Sequence, residues 1–263
     1  SVPIFAQAPR CAQMAARRLL TGGVFAGGGP QCRGYPRDPR DPRRRVAPSN
    51  TRNKGALLEV LRKFLPARTG GVPALEVLEV GSGTGEHVAH FATLLPEVVW
   101  QPSEWSGHAA LTFERQDLQD ILRSISAWTE NLPNVRPPIA LDASQGRWPA
   151  AAERPGSFSG VLAANVAHIA PMPVLRGLVA GAGRVLGPGG CLFLYGPFRV
   201  EGEALKEGNA RFDESLRAAD GRWGLRSVCE VREAAEEAGL SLAALEEMPM
   251  DNRTLVFLKS PRK

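Results

Sequence analysis

The chain has 263 residues (28.2 kDa, 43% hydrophobic), which suits one α/β domain with an extension, or two small domains, and excludes wholesale disorder. No run approaches the ~18–20 apolar residues that span a bilayer. The four scattered cysteines form no CxxC pair, which argues against a disulfide framework or zinc knuckle and fits a reducing compartment. The net charge of +5 is unevenly placed: residues 1–46 hold nine Arg, no Lys and two acids, and the remainder is slightly acidic.

Residues 1–48 read as a disordered basic extension. Pro36, Pro39 and Pro42 recur every third residue among arginines, which blocks helix and ladder hydrogen bonds alike. Residues 14–20 have the pattern of a short basic amphipathic turn. An Arg-rich, acid-poor N-terminus has the character of an organelle transit peptide, though serine is scarce. With that address the protein is expected in the mitochondrion or plastid, and otherwise in the cytoplasm.

The ordered body is expected over 49–263. Leu57, Val60, Leu61, Phe64 and Leu65 mark one face of a helix, ended by Pro66. Residues 74–80 form an aliphatic strand, followed by the loop Gly81-Ser82-Gly83-Thr84-Gly85. Val88, Phe91, Ala92 and Leu95 then fall at helical spacing, up to Pro96. Further strands are expected at 97–101, 138–141, 157–166 and 191–195, and helices at 118–128, 174–186 and 228–238. Two closing strands follow at 242–248 and 254–259. Strands alternating with helices imply a parallel, doubly wound sheet.

The glycine loop between a strand and a helix lets a ligand approach the backbone. A dinucleotide fingerprint would place a third glycine where Glu86 stands, and a carboxylate there repels phosphate. No GxxxxGK[ST] motif occurs either. The loop therefore points to a ligand with cationic and hydroxyl groups, a description that S-adenosylmethionine meets. Glu79, two residues before Gly81, is placed to take an ammonium. Glu104, nineteen residues after Gly85, lies where an acid holds ribose hydroxyls. Asp142, after the third strand, is placed to accept from an adenine amino group. The cofactor-binding set is thus Asn53, Glu79, Gly81, Ser82, Gly83, Gly85, Glu104, Asp142 and Asn165.

The run from Leu78 to Glu86 is similar to motif I of class I S-adenosylmethionine-dependent methyltransferases. The run Leu186-Gly187-Pro188-Gly189-Gly190 resembles their entry to the fifth strand. More narrowly, from about residue 50 onward the chain resembles the methyltransferase-like 26 family, an uncharacterised group. The match is carried by Arg52-Asn53-Lys54, Trp100-Gln101-Pro102-Ser103, residues 134–138, Asn165 with His168-Ile169, Tyr195-Gly196-Pro197-Phe198, Asn209 with Phe212-Asp213, and residues 223–226. The chain departs from that pattern with Glu104 for Asp, Thr51 for Glu, Ser227 for Asp and an insertion near 105–116. The resemblance implies a Rossmann-like, mostly parallel seven-stranded sheet with its last strand antiparallel. It also implies methyl transfer with S-adenosylmethionine as cofactor.

Methyl transfer from a sulfonium needs mainly orientation of two reactants, with a base where the acceptor must lose a proton. On the acceptor side the candidates are His168, chosen for its ordinary pKa, and Tyr195, with Asn165 and Asp213 nearby. Arg52 and Asn53 are placed to fold over the methionine carboxylate. His87 and His90 read as surface residues and no metal site is expected, since HxxH has no third ligand here. The expected partner is a small-molecule acceptor, because little chain exists beyond the core for a macromolecular platform. No aromatic-basic stripe marks a nucleic-acid surface. Two alternatives remain open: a non-catalytic, regulatory S-adenosylmethionine-binding protein, and an RNA methyltransferase using the Arg-rich tail.

Overall fold

Seven strands pair into one sheet in a computed structural model that describes residues 36–66, 74–105 and 112–260. In chain order the elements are β1 (Arg37–Asp38), β2 (Asp41–Arg45), α1 (Pro48–Phe64), β3 (Leu75–Val80), α2 (Glu86–Leu94), β4 (Val98–Glu104), α3 (Thr112–Thr129), β5 (Ile139–Ala140) and β6 (Phe158–Ala164). A 3₁₀ turn (Ala167–Ile169) leads into α4 (Met172–Val185), β7 (Leu186–Gly196), β8 (Phe198–Arg199), α5 (Glu207–Ala219), β9 (Arg226–Ser227) and α6 (Val228–Glu237). β10 (Leu240–Met248) and β11 (Asn252–Lys259) close the sheet, joined by a second 3₁₀ turn (Pro249–Asp251).

The sheet order is β10-β11-β7-β6-β3-β4-β5, with β11 antiparallel to both neighbours and the other pairs parallel. This is the doubly wound, mostly parallel arrangement the alternation implies. Aliphatic strands such as Leu75–Val80 suit it, because both faces are covered. One face packs Leu192, Leu194 and Val161 against Leu178 and Val179 of α4 and Val231 of α6. The other packs Val77, Trp100 and Phe193 against Leu57 and Leu61 of α1 and Phe91 of α2. The carboxyl ends of β3, β4, β6 and β7 are thereby brought to one edge.

Three features differ from the sequence expectation. Residues 36–48, read as part of a disordered extension, form a hairpin (β1, β2) and the first turn of α1. The ribbon's two strands pair only with each other. The Asp38 and Asp41 side chains accept from the amides of Arg40 and Arg43, which holds the turn. Its arginines dock on α3: Arg43 pairs with Glu130, Arg45 with Asp120, and Arg44 lies 4.8 Å over the Trp128 ring. Residues 1–35, with the transit-peptide and basic-turn readings, lie outside the described residues, as do residues 106–111 of the insertion near 105–116.

Helix α5 was not foreseen, since its apolar face is short, with Phe212, Leu216 and Ala219 set among charged and polar residues. Strand β7 begins at Leu186 rather than Cys191. The glycine run 187–190 enters it through a register shift against β6. Ser227 caps α6, accepting from the Glu230 amide, while Glu230 accepts from the Ser227 amide.

Candidate functional site

The loop after β3 turns through three left-handed glycines, Gly81 (φ 75°), Gly83 (φ 56°) and Gly85 (φ 94°). A Cβ on Gly81 would come within 2.8 Å of Val166, and one on Gly85 within 2.7 Å of the Ile125 backbone. At Gly83 nothing lies within 4 Å. Gly81 and Gly85 are therefore demanded by packing as well as conformation, while Gly83 faces open space. Four of the five loop amides are engaged within the protein: Gly81 and Ser82 donate to the Ser103 carbonyl (3.0 and 2.8 Å), Gly83 to Glu104 (2.7 Å) and Gly85 to the Ser82 carbonyl (3.1 Å). A phosphate cradle needs such donors free. This loop instead offers close approach to its backbone. The Ser82 hydroxyl is turned to β4, accepting from the Ser103 amide at 3.2 Å.

Glu79 stands at the carboxyl end of β3, 1% exposed, and among the described residues neither carboxylate oxygen has a hydrogen-bond partner. Burial pushes its carboxyl up to about 7; the Ser82 side chain opposes the shift and the Glu104 charge adds to it. A buried carboxylate without a partner is costly, and a cationic group arriving at the loop would relieve that cost.

Glu104 ends β4, half-buried, with its carboxylate joined to the loop at Gly83 and to the Trp105 amide. Asp142 follows β5 and is buried. It accepts from the Ser144 amide and hydroxyl at 2.9 and 2.6 Å and from Gln145 at 3.2 Å, so its carboxylate shapes its own loop. Asn165 leaves β6 with φ of 60°, its amide bound to the Tyr195 carbonyl at 2.8 Å. Glu79, Gly83, Glu104 and Asn165 thus converge on the edge where β3, β4 and β6 end.

Glu86 does not face a ligand. Its buried carboxylate accepts from the Ala47 amide at 2.5 Å and the Thr84 hydroxyl at 3.1 Å, anchoring the chain that enters α1. The charge argument from this position is therefore replaced by the one from the engaged loop amides. His87 is likewise no surface residue: it is buried, stacks on Phe91, and its Nε2 lies 2.7 Å from Asn53 Oδ1. Burial, with smaller contributions from His90 and Lys54, pushes its pKa down to about 3.

The Tyr195 hydroxyl accepts from Asn252 Nδ2 at 2.8 Å. Burial raises the Tyr195 pKa, while Asn53, Asn252 and the charge of Arg52 lower it. Asn252 lies in the short stretch between the two expected closing strands. Its signal lay in the antiparallel register that sets Thr254 opposite Tyr195.

His168 lies across Gly196 from this network, 1% exposed. Its ring meets Phe212 of α5 edge-on at 5.3 Å, and among the described residues neither ring nitrogen has a hydrogen-bond partner. Burial, then the charge of Arg226, pushes its pKa down to about 3. The ordinary pKa that commends a free histidine as a base is thus lost in the fold. Asp213 is also buried, engaged by Arg199, Arg217 and the Leu225 amide. It holds α5 and the loop before β9 in place, and Gly224 donates to the His168 carbonyl at 3.0 Å.

This sheet order, with an antiparallel β11 and a glycine loop after β3, defines the Rossmann-like class I methyltransferase fold. The chain belongs to DUF938, a family of proteins of unknown function, whose model matches residues 44–259. Among solved structures it is similar to an O-methyltransferase family 2 protein from Planctomyces limnophilus in complex with apigenin (TM-score 0.61, 17% identity, 79% of this chain and 56% of that one). It is also similar to the mitomycin 7-O-methyltransferase MmcR (0.58, 13%, 81% and 55%) and to an O-methyltransferase family protein from Burkholderia thailandensis (0.58, 14%, 80% and 59%). The chain spans a little over half the length of these proteins.

Proposed function

We propose that this protein is an S-adenosylmethionine-dependent methyltransferase acting on a small molecule. The observation that carries the reading is Glu79: a fully buried carboxylate, with no hydrogen-bond partner for either oxygen among the described residues, beside a glycine loop that is open at Gly83. S-adenosylmethionine fits these residues and would supply an activated methyl group. Glu79 takes the ammonium, Gly83 admits the ligand to the backbone, and Glu104 faces the ribose hydroxyls. Asn165 and the loop of Asp142 border the remainder. The three O-methyltransferases of the same fold support this reading, and so does the motif resemblance to the methyltransferase-like 26 family.

On the acceptor side, His168 stays neutral throughout the physiological range and has two unpartnered ring nitrogens. A hydroxyl of the acceptor donates a hydrogen bond to a His168 ring nitrogen, which orients that oxygen, with Phe212 packed edge-on against the ring. Titration calorimetry with S-adenosylhomocysteine on the full chain is the test. Binding that is lost in Glu79→Gln supports the reading, and no binding by folded wild-type protein refutes it. The depth of His168 favours a second reading, binding without transfer. That reading predicts cofactor affinity with no methylation of any hydroxyl-bearing acceptor in a small-molecule panel.

A further inference from the structure

The glycine loop is held at its two ends by different parts of the fold. Its first half hangs on β4, where Gly81 and Ser82 donate to the Ser103 carbonyl and Gly83 to Glu104. Its last half is held at buried Thr84 by groups from outside the sheet. The Thr84 carbonyl accepts from the Ser124 hydroxyl of α3 at 2.7 Å. The Thr84 hydroxyl donates to Glu86 at 3.1 Å and accepts from Asn50 Nδ2 of α1 at 3.4 Å. Ser124 and Glu86 are both tied in turn to the segment 36–47. Ser124 Oγ accepts from the Arg45 amide at 2.8 Å, and Glu86 from the Ala47 amide at 2.5 Å. Two arms, Arg45–Ser124 and Ala47–Glu86, thus run from the basic hairpin and meet on the loop residue next to open Gly83.

The hairpin is separable from the body. Its two strands pair only with each other. Residues 37–45 are Arg, Asp and Pro alone, and none of them belongs to either apolar core. What docks them is polar: ion pairs to Asp120 and Glu130, Arg44 over Trp128, and Trp128 Nε1 donating to the Arg45 carbonyl at 2.9 Å. Segments held by few buried apolar contacts open at low free energy. On opening, Ser124 loses its Arg45 donor and Glu86 its Ala47 donor. A buried carboxylate short of donors turns toward water, and the Thr84 hydroxyl then loses its acceptor.

We propose, on the cofactor reading above, that residues 36–47 are a strap that sets the glycine loop for the cofactor, with Ser124 as the positioning residue between them. Docked, the strap fixes Thr84 through both arms and holds Gly83 in the shape that the ligand meets. Undocked, it releases the last half of the loop. Strap docking and cofactor binding therefore favour each other by the same factor, since coupling between two sites is reciprocal.

Amide hydrogen exchange on the full chain, with and without S-adenosylhomocysteine, reads the coupling from the strap side. Bound ligand is expected to slow the Arg45 and Ala47 amides roughly fivefold or more, and amides of α6, on the opposite face of the sheet, far less. No slowing in the strap with ligand bound overturns the proposal. Titration calorimetry reads the coupling from the loop side. Ser124→Ala cuts one arm and is expected to bind S-adenosylhomocysteine roughly fivefold or more weakly, whereas Ser124→Thr, which keeps the hydroxyl, binds close to wild type. Unchanged affinity in Ser124→Ala overturns the proposal, and so do equal losses in the two variants. The double variant Asp120→Asn, Glu130→Gln frees the strap from outside the loop. Faster Arg45 exchange in it without weaker binding is a further refutation. If folded wild-type protein binds no S-adenosylhomocysteine, the cofactor reading falls. The strap is then judged by the Gly85 amide, whose exchange should speed up in the double variant; an unchanged rate there overturns it.

Discussion

The Ala47 amide donates to the buried Glu86 carboxylate at 2.5 Å, across 39 residues of chain. The contact joins the basic hairpin to the first residue of the helix after the glycine loop. Removing the carboxylate leaves a buried backbone N–H without a partner. Glu86→Ala should lose about 2 kcal/mol of stability in urea denaturation, and Glu86→Gln, which keeps an acceptor oxygen, should lose much less. Equal losses in the two variants would show that the acceptor oxygen is not what matters.

Glu79→Gln should move stability and binding in opposite directions. The folded-state pKa of Glu79 is raised from 4.5 to about 7. The folded state therefore holds its proton more tightly, and stability is full below pH 4.5 and declines as pH rises through 7. The decline is on the order of 3 kcal/mol. Without ligand, Glu79→Gln should be more stable than wild type at pH 8 and similar to it at pH 5. Wild-type affinity for S-adenosylhomocysteine should rise across the same interval, as the carboxyl ionises.

His87 and His168 titrate with the opposite sign. Both are held near pKa 3 by burial, below the ordinary 6.5. The unfolded chain takes up these protons first, so their contribution is complete above about pH 6.5 and is lost as pH falls toward 3. Imidazole NMR signals of both residues should stay in the neutral position at pH 5. A midpoint near 6.5 for either would contradict the burial described.

Two loop glycines should separate folding from binding. Gly85→Ala places a Cβ against the Ile125 backbone and should cost several kcal/mol of stability. Gly83→Ala meets no atom, so its stability loss should be limited to about 1–2 kcal/mol of left-handed strain. Its ligand affinity should fall more than its stability, because the added methyl faces the open side of the loop. Thermal melts with and without S-adenosylhomocysteine distinguish the two.

Docking of the hairpin on α3 should be sensitive to salt. Arg43–Glu130 and Arg45–Asp120 are at least partly exposed pairs, and such pairs are screened within about 10 Å at 0.1 M salt. Amide exchange of Arg43 and Val46 should accelerate between low and high salt, while that of Leu78 in β3 should not. Equal acceleration in both places would show that the hairpin is held by other forces.

Local chemistry was legible in the chain because its causes are local. An aliphatic run, three alternating glycines and a helical period place the loop between β3 and α2, whatever the rest of the chain does. The acids at strand ends follow from the same alternation, so Glu79 and Glu104 arrive at the sheet edge where they were expected. Helix α5 lacked that legibility. It is held by Asp213 and its arginine partners as well as by a short apolar face of Phe212, Leu216 and Ala219, and no periodicity records the ion pairs.

The sequence by itself determined the alternating α/β order, the glycine loop and the division of charge between tail and body. Only the tertiary structure decided what those charges meet. Glu86, a ligand-facing acid in one dimension, finds Ala47. The arginines of 43–45, a disordered basic run by composition, find acids 75 and 87 residues away. The Tyr195 hydroxyl finds a donor in Asn252, which arrives 57 residues later on an antiparallel strand. Composition counts charges and donors along the chain, whereas a hydrogen bond depends on a partner within about 3 Å, and that distance is set by the fold alone.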